Sequence, residues 1–420
     1  MEFEKVMGAL DISDGEKALR QGWDESQATL PADGVPFLTP GFVRDACRQI
    51  GFTDDIAESS VGVAERVSGS DALVALAWHC HRALFAHDHY SFEEVSSWPS
   101  LDATLDADAD GFYLLVILSG VTKLREVNSA HSVPADVERE TLGDVVRSLS
   151  SRRCRDASRH WGMHAHDVAW FANFVRGDLY RLGRLQFQFG KFYHDARAFR
   201  HTSGAVLALS ENGIRYDLNG QQAGSDGSGT WMAELAIGRD SVVGNPIVPT
   251  GQALPQKVTL SFAEWRQALG PRDPILNIHM PGGKPLTHDA CGESFRRAVE
   301  FFPRHFPERP LVGFCCHSWL LDGQLEAMLP PTSNMVRFQR DVYLLPTDMD
   351  NAELSRSVLH QREIDPATAP RDTTLQRAIV ERLERGEKLK PRAGGCFLLP
   401  EDLNWGAEVY RSQHLDQFLR

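Results

Sequence analysis

The chain has 420 residues, more than one hydrophobic core usually supports, so two or more folding units are expected. Its 42% hydrophobic and 24% charged residues are typical of globular cores and exclude a disordered or collagen-like chain. The net charge is −13, but residues 1–110 alone hold 21 acidic and 7 basic residues, which leaves the other 310 near neutrality and compatible with an anionic partner.

The longest near-apolar run, FYLLVILSGV at 112–121, is far shorter than the roughly 20 residues of a membrane-spanning helix. The opening MEFEKVMGALDISDGEK lacks the basic and apolar regions of a secretory signal. The seven cysteines are irregularly spaced with no C-x-x-C pair. A cytoplasmic protein with reduced thiols and no membrane partner is expected.

Residues 1–180 show apolar spacings of three and four in TPGFVRDACRQIGF, DALVALAWHCHRALFAHD, DADGFYLLVILSGVTKLREV and HAHDVAWFANFVRGDLYRL, which predicts a helical N-terminal domain. From residue 183 the pattern becomes strand-like. GRLQFQF alternates strictly, and AVLALS and IRYDL flank turn residues, with a further turn at Asn219-Gly220, which predicts an antiparallel meander. AGSDGSGTW reads as a surface loop. A helix is expected in SFAEWRQAL, followed by the strand PILNIHM, the turn PGGKPL, the helix THDACGESFRRAVEFFPRHF, the strand PLVGFCC, the helix SWLLDGQLEAML and the strand MVRFQRDVYLLP. Residues 181–346 form the second domain on this basis. Residues 347–420, with a helix in TTLQRAIVERLERG and a strand in GCFLLP, read as a C-terminal appendage.

Chemistry concentrates at 275–319. A helix N-terminus preceded by Met280, Gly282, Gly283 and Lys284, with Thr287 at the N-cap, presents main-chain N–H groups, the positive end of a dipole and one cation, which suits an anion. Alternation puts Asn277 and His279 on one face of PILNIHM and Leu276, Ile278 and Met280 on the other. The next strand ends Cys315-Cys316-His317-Ser318-Trp319, where ligand crevices of open sheets form. His279 and His317 on sequential strands form a candidate acid and base pair near neutral pH. In GRLQFQF, Arg184, Gln186 and Gln188 share one face, either lining a cleft or facing solvent. HCHRALFAHDH and HWGMHAH are rich in histidine, with His160 and His164 four residues apart, but no metal-ligand spacing is present and no metal is expected.

The strings LGRLQFQF, LNIHMPGGKPLTHDACGESFRRAVEFFPRHFP and GFCCHSWLLDGQLEAMLPPTSNMVRFQRDVYLLP resemble a bacterial family of acyltransferases with a helical N-terminal domain and a C-terminal domain similar to the GNAT N-acetyltransferases. The likeness implies an α+β architecture: the helical domain followed by a GNAT-like mixed, mostly antiparallel sheet with flanking helices. It also implies that PILNIHM and PLVGFCCH splay apart around an acyl-CoA arm while PGGKPLT, in place of the usual Gln/Arg-x-x-Gly-x-Gly/Ala loop, cradles the pyrophosphate. Met280, Gly282, Gly283, Lys284 and Thr287 then hold the donor, and His279 or His317 takes a proton from an amine acceptor. The other histidine or Ser318 protonates the leaving thiolate, and Arg184, Gln186, Gln188, Trp319, Asp322 and Arg337 are candidates for holding the small-molecule acceptor. In the resembling family an acidic residue often stands where this chain has Gln188. Two other readings stay open: an aminoacyl-tRNA or carrier-protein thioester as donor, and a catalytically silent ligand-binding or scaffold protein.

Overall fold

The computed structural model describes residues 1–155, 161–223, 230–350, 358–359, 361, 365–387 and 392–419. The chain divides into two compact units, Met1–Leu182 and Gly183–Arg420.

The first unit is helical, as its three- and four-residue apolar spacings require. The helix Ala109–Ser119 is buried on every side, which is why its sequence lacks a polar face. Around it pack Pro40–Ile50, Asp54–Ser68, Asp71–Phe85 and Ala165–Arg176. The helix expected through HAHDVAWFANFVRGDLYRL stops at Arg176, where Gly177 takes a left-handed conformation, and the unit closes with the short strand Leu179–Leu182. The buried Arg176 is satisfied by Asp178, at 2.7 Å, and by the carbonyl of Asp88, at 2.6 Å.

The second unit is built on five strands in the order Leu185–Lys191, Pro274–His279, Gly313–Ser318, Arg392–Leu398 and Tyr343–Asp350. Only the pair Pro274–His279 and Gly313–Ser318 is parallel, joined by the crossover helix His288–His305. That helix lies on the face carrying Phe187 and Phe314: Phe295 meets both edge-on, at centroid distances of 5.9 and 5.2 Å. A second, antiparallel sheet in the order Gln252–Ala253, Pro246–Val248, Val206–Ser210, Ala196–His201 and Trp265–Leu269 is tied to the first through Tyr343. The Tyr343 hydroxyl donates to the Ile247 carbonyl and accepts the Ala208 N–H.

Several expected elements differ. Leu185–Lys191 does not join a meander: it pairs with Pro274–His279, and the expected hairpin of AVLALS with IRYDL does not form, since Val206–Ser210 pairs with Ala196–His201 and Arg215–Tyr216 with Trp231–Met232. In SFAEWRQAL the buried Trp265 and Leu269 stand four apart, a spacing common to both periods, and Trp265–Leu269 is a strand against Ala196–His201. MVRFQRDVYLLP splits into the helix Asn334–Asp341 and the strand Tyr343–Asp350. SWLLDGQLEAML breaks at Asp322-Gly323 into a turn of 3-10 helix, Trp319–Leu321, and the short helix Gln324–Met328. The expected appendage is no appendage, since Arg392–Leu398 lies inside the sheet between Gly313–Ser318 and Tyr343–Asp350. Its helix, Thr374–Glu384, opens with a capping box between Thr373 and Gln376.

At Gly394 a Cβ would come 2.0 Å from the main-chain oxygen of Leu321, which cannot swing away as a side chain would. Gly394→Ala should therefore destabilise the protein by about 3 kcal/mol; equilibrium urea unfolding checks this, and a midpoint equal to wild type would refute the close approach.

Candidate active site

The strands Pro274–His279 and Gly313–Ser318 are paired through three rungs only, Ile275 with Gly313, Leu276 with Phe314 and Asn277 with Cys315. Both run on past the last rung, and each keeps its outer neighbour, His279 opposite Gln186 and Ser318 opposite Gly394. A gap therefore opens between them at their carboxyl ends, edged by main-chain polar groups. The central strand leads directly into Met280 and the exposed loop with Gly282, Gly283, Lys284 and Thr287, then into the N-terminus of the 18-residue helix His288–His305. Thr287 is the N-cap in extended conformation, but its side chain makes no capping bond. The predicted anion site and the gap thus share one end of the sheet.

The sheet's other face carries the predicted histidines. His279 Nε2 lies 2.9 Å from Gln188 Oε1 and donates to it, which puts the imidazole lone pair on Nδ1. His317 Nε2 lies 3.4 Å from the Thr347 hydroxyl, which itself donates to the Ala393 carbonyl at 2.8 Å. Gln186 is buried in register with His279. A third histidine completes the group: His194, from the connection after Leu185–Lys191, packs 6.4 Å from the His317 ring, centroid to centroid. Gly395, the register partner of His317, makes room for it, since a Cβ there would lie 2.5 Å from the His194 ring. The Cys316 carbonyl accepts from the His194 imidazole, while His194 Nε2 is buried with no hydrogen-bond partner. No periodicity marks His194 or Thr347 in the sequence; only the sheet order brings them beside His317.

Other predicted site residues lie elsewhere in this arrangement. Arg184, expected at the acceptor, is buried against the glycine loop, its Nε donating to the Pro285 carbonyl at 3.2 Å and its main-chain N–H to Ser294 Oγ at 2.9 Å. Asp322 holds the chain turn together by accepting the N–H groups of Gln324, at 2.9 Å, and Arg392, at 3.2 Å; burial raises its pKa. Trp319 packs on the apolar cluster of Leu325, Val336 and Ile379. Ser318 caps the 3-10 turn by accepting the Leu320 N–H at 3.2 Å, and Arg337 is exposed on its helix. Burial pushes the Cys316 thiol up to about 12 and holds the Cys315 thiol well above its ordinary value, so neither is a thiolate nucleophile at neutral pH. Among the described residues no cluster of side chains could hold a metal ion. His160 lies outside the described residues, and His164 is bonded to Asp110 at 2.8 Å.

The start of the helix His288–His305 is anchored by contacts that sequence reasoning missed. His288 is paired with Asp341 and stacked on Trp405, with rings 5.1 Å apart, and the other Asp341 oxygen accepts the N–H groups of Gly406 and Glu408.

Two parallel strands that part after three rungs, beside a loop and helix N-terminus, define an acyltransferase fold of the GNAT type. Residues 179–396 match the family model described as a GNAT-like C-terminal domain, and residues 41–177 match that of an N-acyltransferase N-terminal domain. The chain belongs to this family of acyltransferases. It is similar in fold to the crystal structure of an acyltransferase in complex with decanoyl-CoA and teicoplanin (TM-score 0.63, 24% identity, 95% of this chain and 99% of that chain). A mutant acyltransferase in complex with octanoyl-CoA (0.63, 24%, 95% and 99%) and an acyltransferase in complex with CoA and 10C-teicoplanin (0.62, 24%, 95% and 99%) are similar in the same way. No curated protein matches the chain. Among the described residues no helix is long and apolar enough to cross a membrane.

Burial lowers the pKa of His194 and His279 from 6.5 to about 4, and the neighbouring His317 adds to the effect at His194. Unfolding returns both groups toward 6.5, so between pH 6.5 and 4 the unfolded chain binds more protons and stability falls as the pH is lowered. Urea midpoints measured from pH 7 to 4 should show this decline, and the slope should be shallower in His279→Gln; identical slopes would show that His279 is not buried as a neutral ring.

Proposed function

We propose that the protein transfers an acyl group from acyl-CoA directly to the amine of a small molecule. The observation that carries this reading is the gap between Pro274–His279 and Gly313–Ser318 above the three-rung ladder, opening toward a glycine loop and a helix N-terminus. A pantetheine arm fits such a gap as a surrogate strand, with the pyrophosphate on the loop and Lys284 beside it. Acyltransferases of similar fold hold octanoyl-CoA, decanoyl-CoA with teicoplanin, or CoA with 10C-teicoplanin, which supports an acyl-CoA donor and a small-molecule acceptor.

In the transfer, the amine nitrogen attacks the thioester carbonyl, whose developing negative charge is met by main-chain N–H groups along the gap. The C–S bond breaks, the amide forms, and the thiolate leaves with a proton. A histidine receives the amine proton. The three that surround the gap's inner face are His279, His317 and His194. Of these, His194 has its lone pair on Nε2, which is without a partner in the structure. Neutral rings are required of a base, and burial keeps His194 and His279 neutral at pH 7.

CoA and octanoyl-CoA should raise the melting temperature, by the equivalent of about 2.7 kcal/mol at 100 times Kd, and Lys284→Ala should weaken the shift. Absence of any shift would turn the assignment to tRNA-bound or carrier-bound donors. With acceptor in hand, replacing the histidine that acts as base by Ala should lower kcat by roughly 10²- to 10⁴-fold with the CoA-induced shift retained. Full activity in all three single variants would refute histidine base catalysis.

A further inference from the structure

We propose that Asn277 selects donors whose acyl group carries a hydroxyl close to the thioester carbonyl; this rests on the acyl-CoA reading above and narrows it. Asn277 and Cys315 form the last rung of the parallel ladder and are therefore the floor of the gap. His279 and His317 stand two residues further along the same face, roughly 7 Å away at about 3.3 Å per residue. The register partner of Asn277 on the other side is Gln188, whose Oε1 already accepts from His279 Nε2.

The orientation of the Asn277 carboxamide is set by a missing side chain. Gly190 lies on the same face of the neighbouring strand, and a Cβ there would come 2.4 Å from Asn277 Nδ2, so the amide nitrogen occupies the space that glycine leaves. Oδ1 is the end turned away from Gly190, and it is buried without a hydrogen-bond partner. The Cys315 thiol opposite is held protonated by burial. The floor thus offers a buried carbonyl oxygen that the protein does not satisfy. An aliphatic chain reaching it would leave it so, whereas a hydroxyl within the first few carbons of the acyl group would donate to it. The related folds that hold octanoyl-CoA and decanoyl-CoA hold chains with no such group.

A matched pair of ligands tests the assignment, with CoA as the control for the site itself. Calorimetric titration of the full chain with CoA, octanoyl-CoA and 3-hydroxyoctanoyl-CoA should give a Kd for the hydroxyacyl donor roughly 10-fold or more below that for octanoyl-CoA. Asn277→Leu should abolish or reverse that ratio while leaving the affinity for CoA within a few fold, and the wild-type ratio alone decides the matter if the variant does not fold. Equal affinities for the two acyl donors in the wild type, or tighter binding of octanoyl-CoA, would overturn the role of Asn277 and leave the donor reading standing. No binding of any of the three would overturn both.

Discussion

The second unit depends on how far two parallel strands are allowed to pair. Pro274–His279 and Gly313–Ser318 share three rungs and then separate, although each stays bonded to its outer neighbour. The outer ladders hold the strands flat while their inner edges diverge. Beyond the gap the two strands continue differently. One strand runs into a loop and a helix, and the other is turned sharply by Ser318, whose hydroxyl accepts the Leu320 N–H, so that the Leu321 carbonyl passes directly over Gly394.

The two faces of the sheet divide the labour. On one, Phe187, Phe314, Phe295 and Phe302 interlock edge to face and seat the crossover helix, which fixes its N-terminus beside the mouth of the gap. Arg184 and Ser294 tie the loop and helix to the first strand, and Asp341 clamps His288 from the opposite side. On the other face, each strand contributes a polar residue or a glycine at the level of the gap: Gln186, His279, His317 and Gly395 lie in adjacent positions across four strands. The crossover helix thus packs under one side of a single layer while the histidines lie on the other.

Much of this was legible in the residues. The alternation of LGRLQFQF and PILNIHM identified both strands, the shared face of Gln186 and Gln188 on one and that of Asn277 and His279 on the other, because a strand's period is unambiguous when large apolar residues occupy every second place; that the four share one face of the sheet follows only from the pairing. The glycine loop and following helix were legible for the same reason that such turns are recurrent: each step has local chemistry. The strand Trp265–Leu269 and the helix Asn334–Asp341 were misread because short segments satisfy two periods at once. His194 and Thr347 were illegible in principle. Their relation to His317 is created by strand order across long stretches of chain, and nothing in FYHD or LPTD reports it. The bonds of Arg184 to the Pro285 carbonyl and of Asp322 to the Arg392 N–H were not legible, since a sequence shows a charge without showing which backbone groups it satisfies.

The position of Arg392–Leu398 has a consequence for how the protein comes into being. That strand lies between Gly313–Ser318 and Tyr343–Asp350, yet it follows both of them in the chain. As synthesis proceeds from the N-terminus, the helical unit and the first three strands emerge earlier, while the slot between the two strands remains unfilled until residues 392–398 have left the ribosome. Gly395, which admits His194 to the group beside His317, arrives with that strand. Until then a nascent chain carries no assembled site, and a chain broken off between residues 350 and 392 leaves the facing edges of Gly313–Ser318 and Tyr343–Asp350 unpaired.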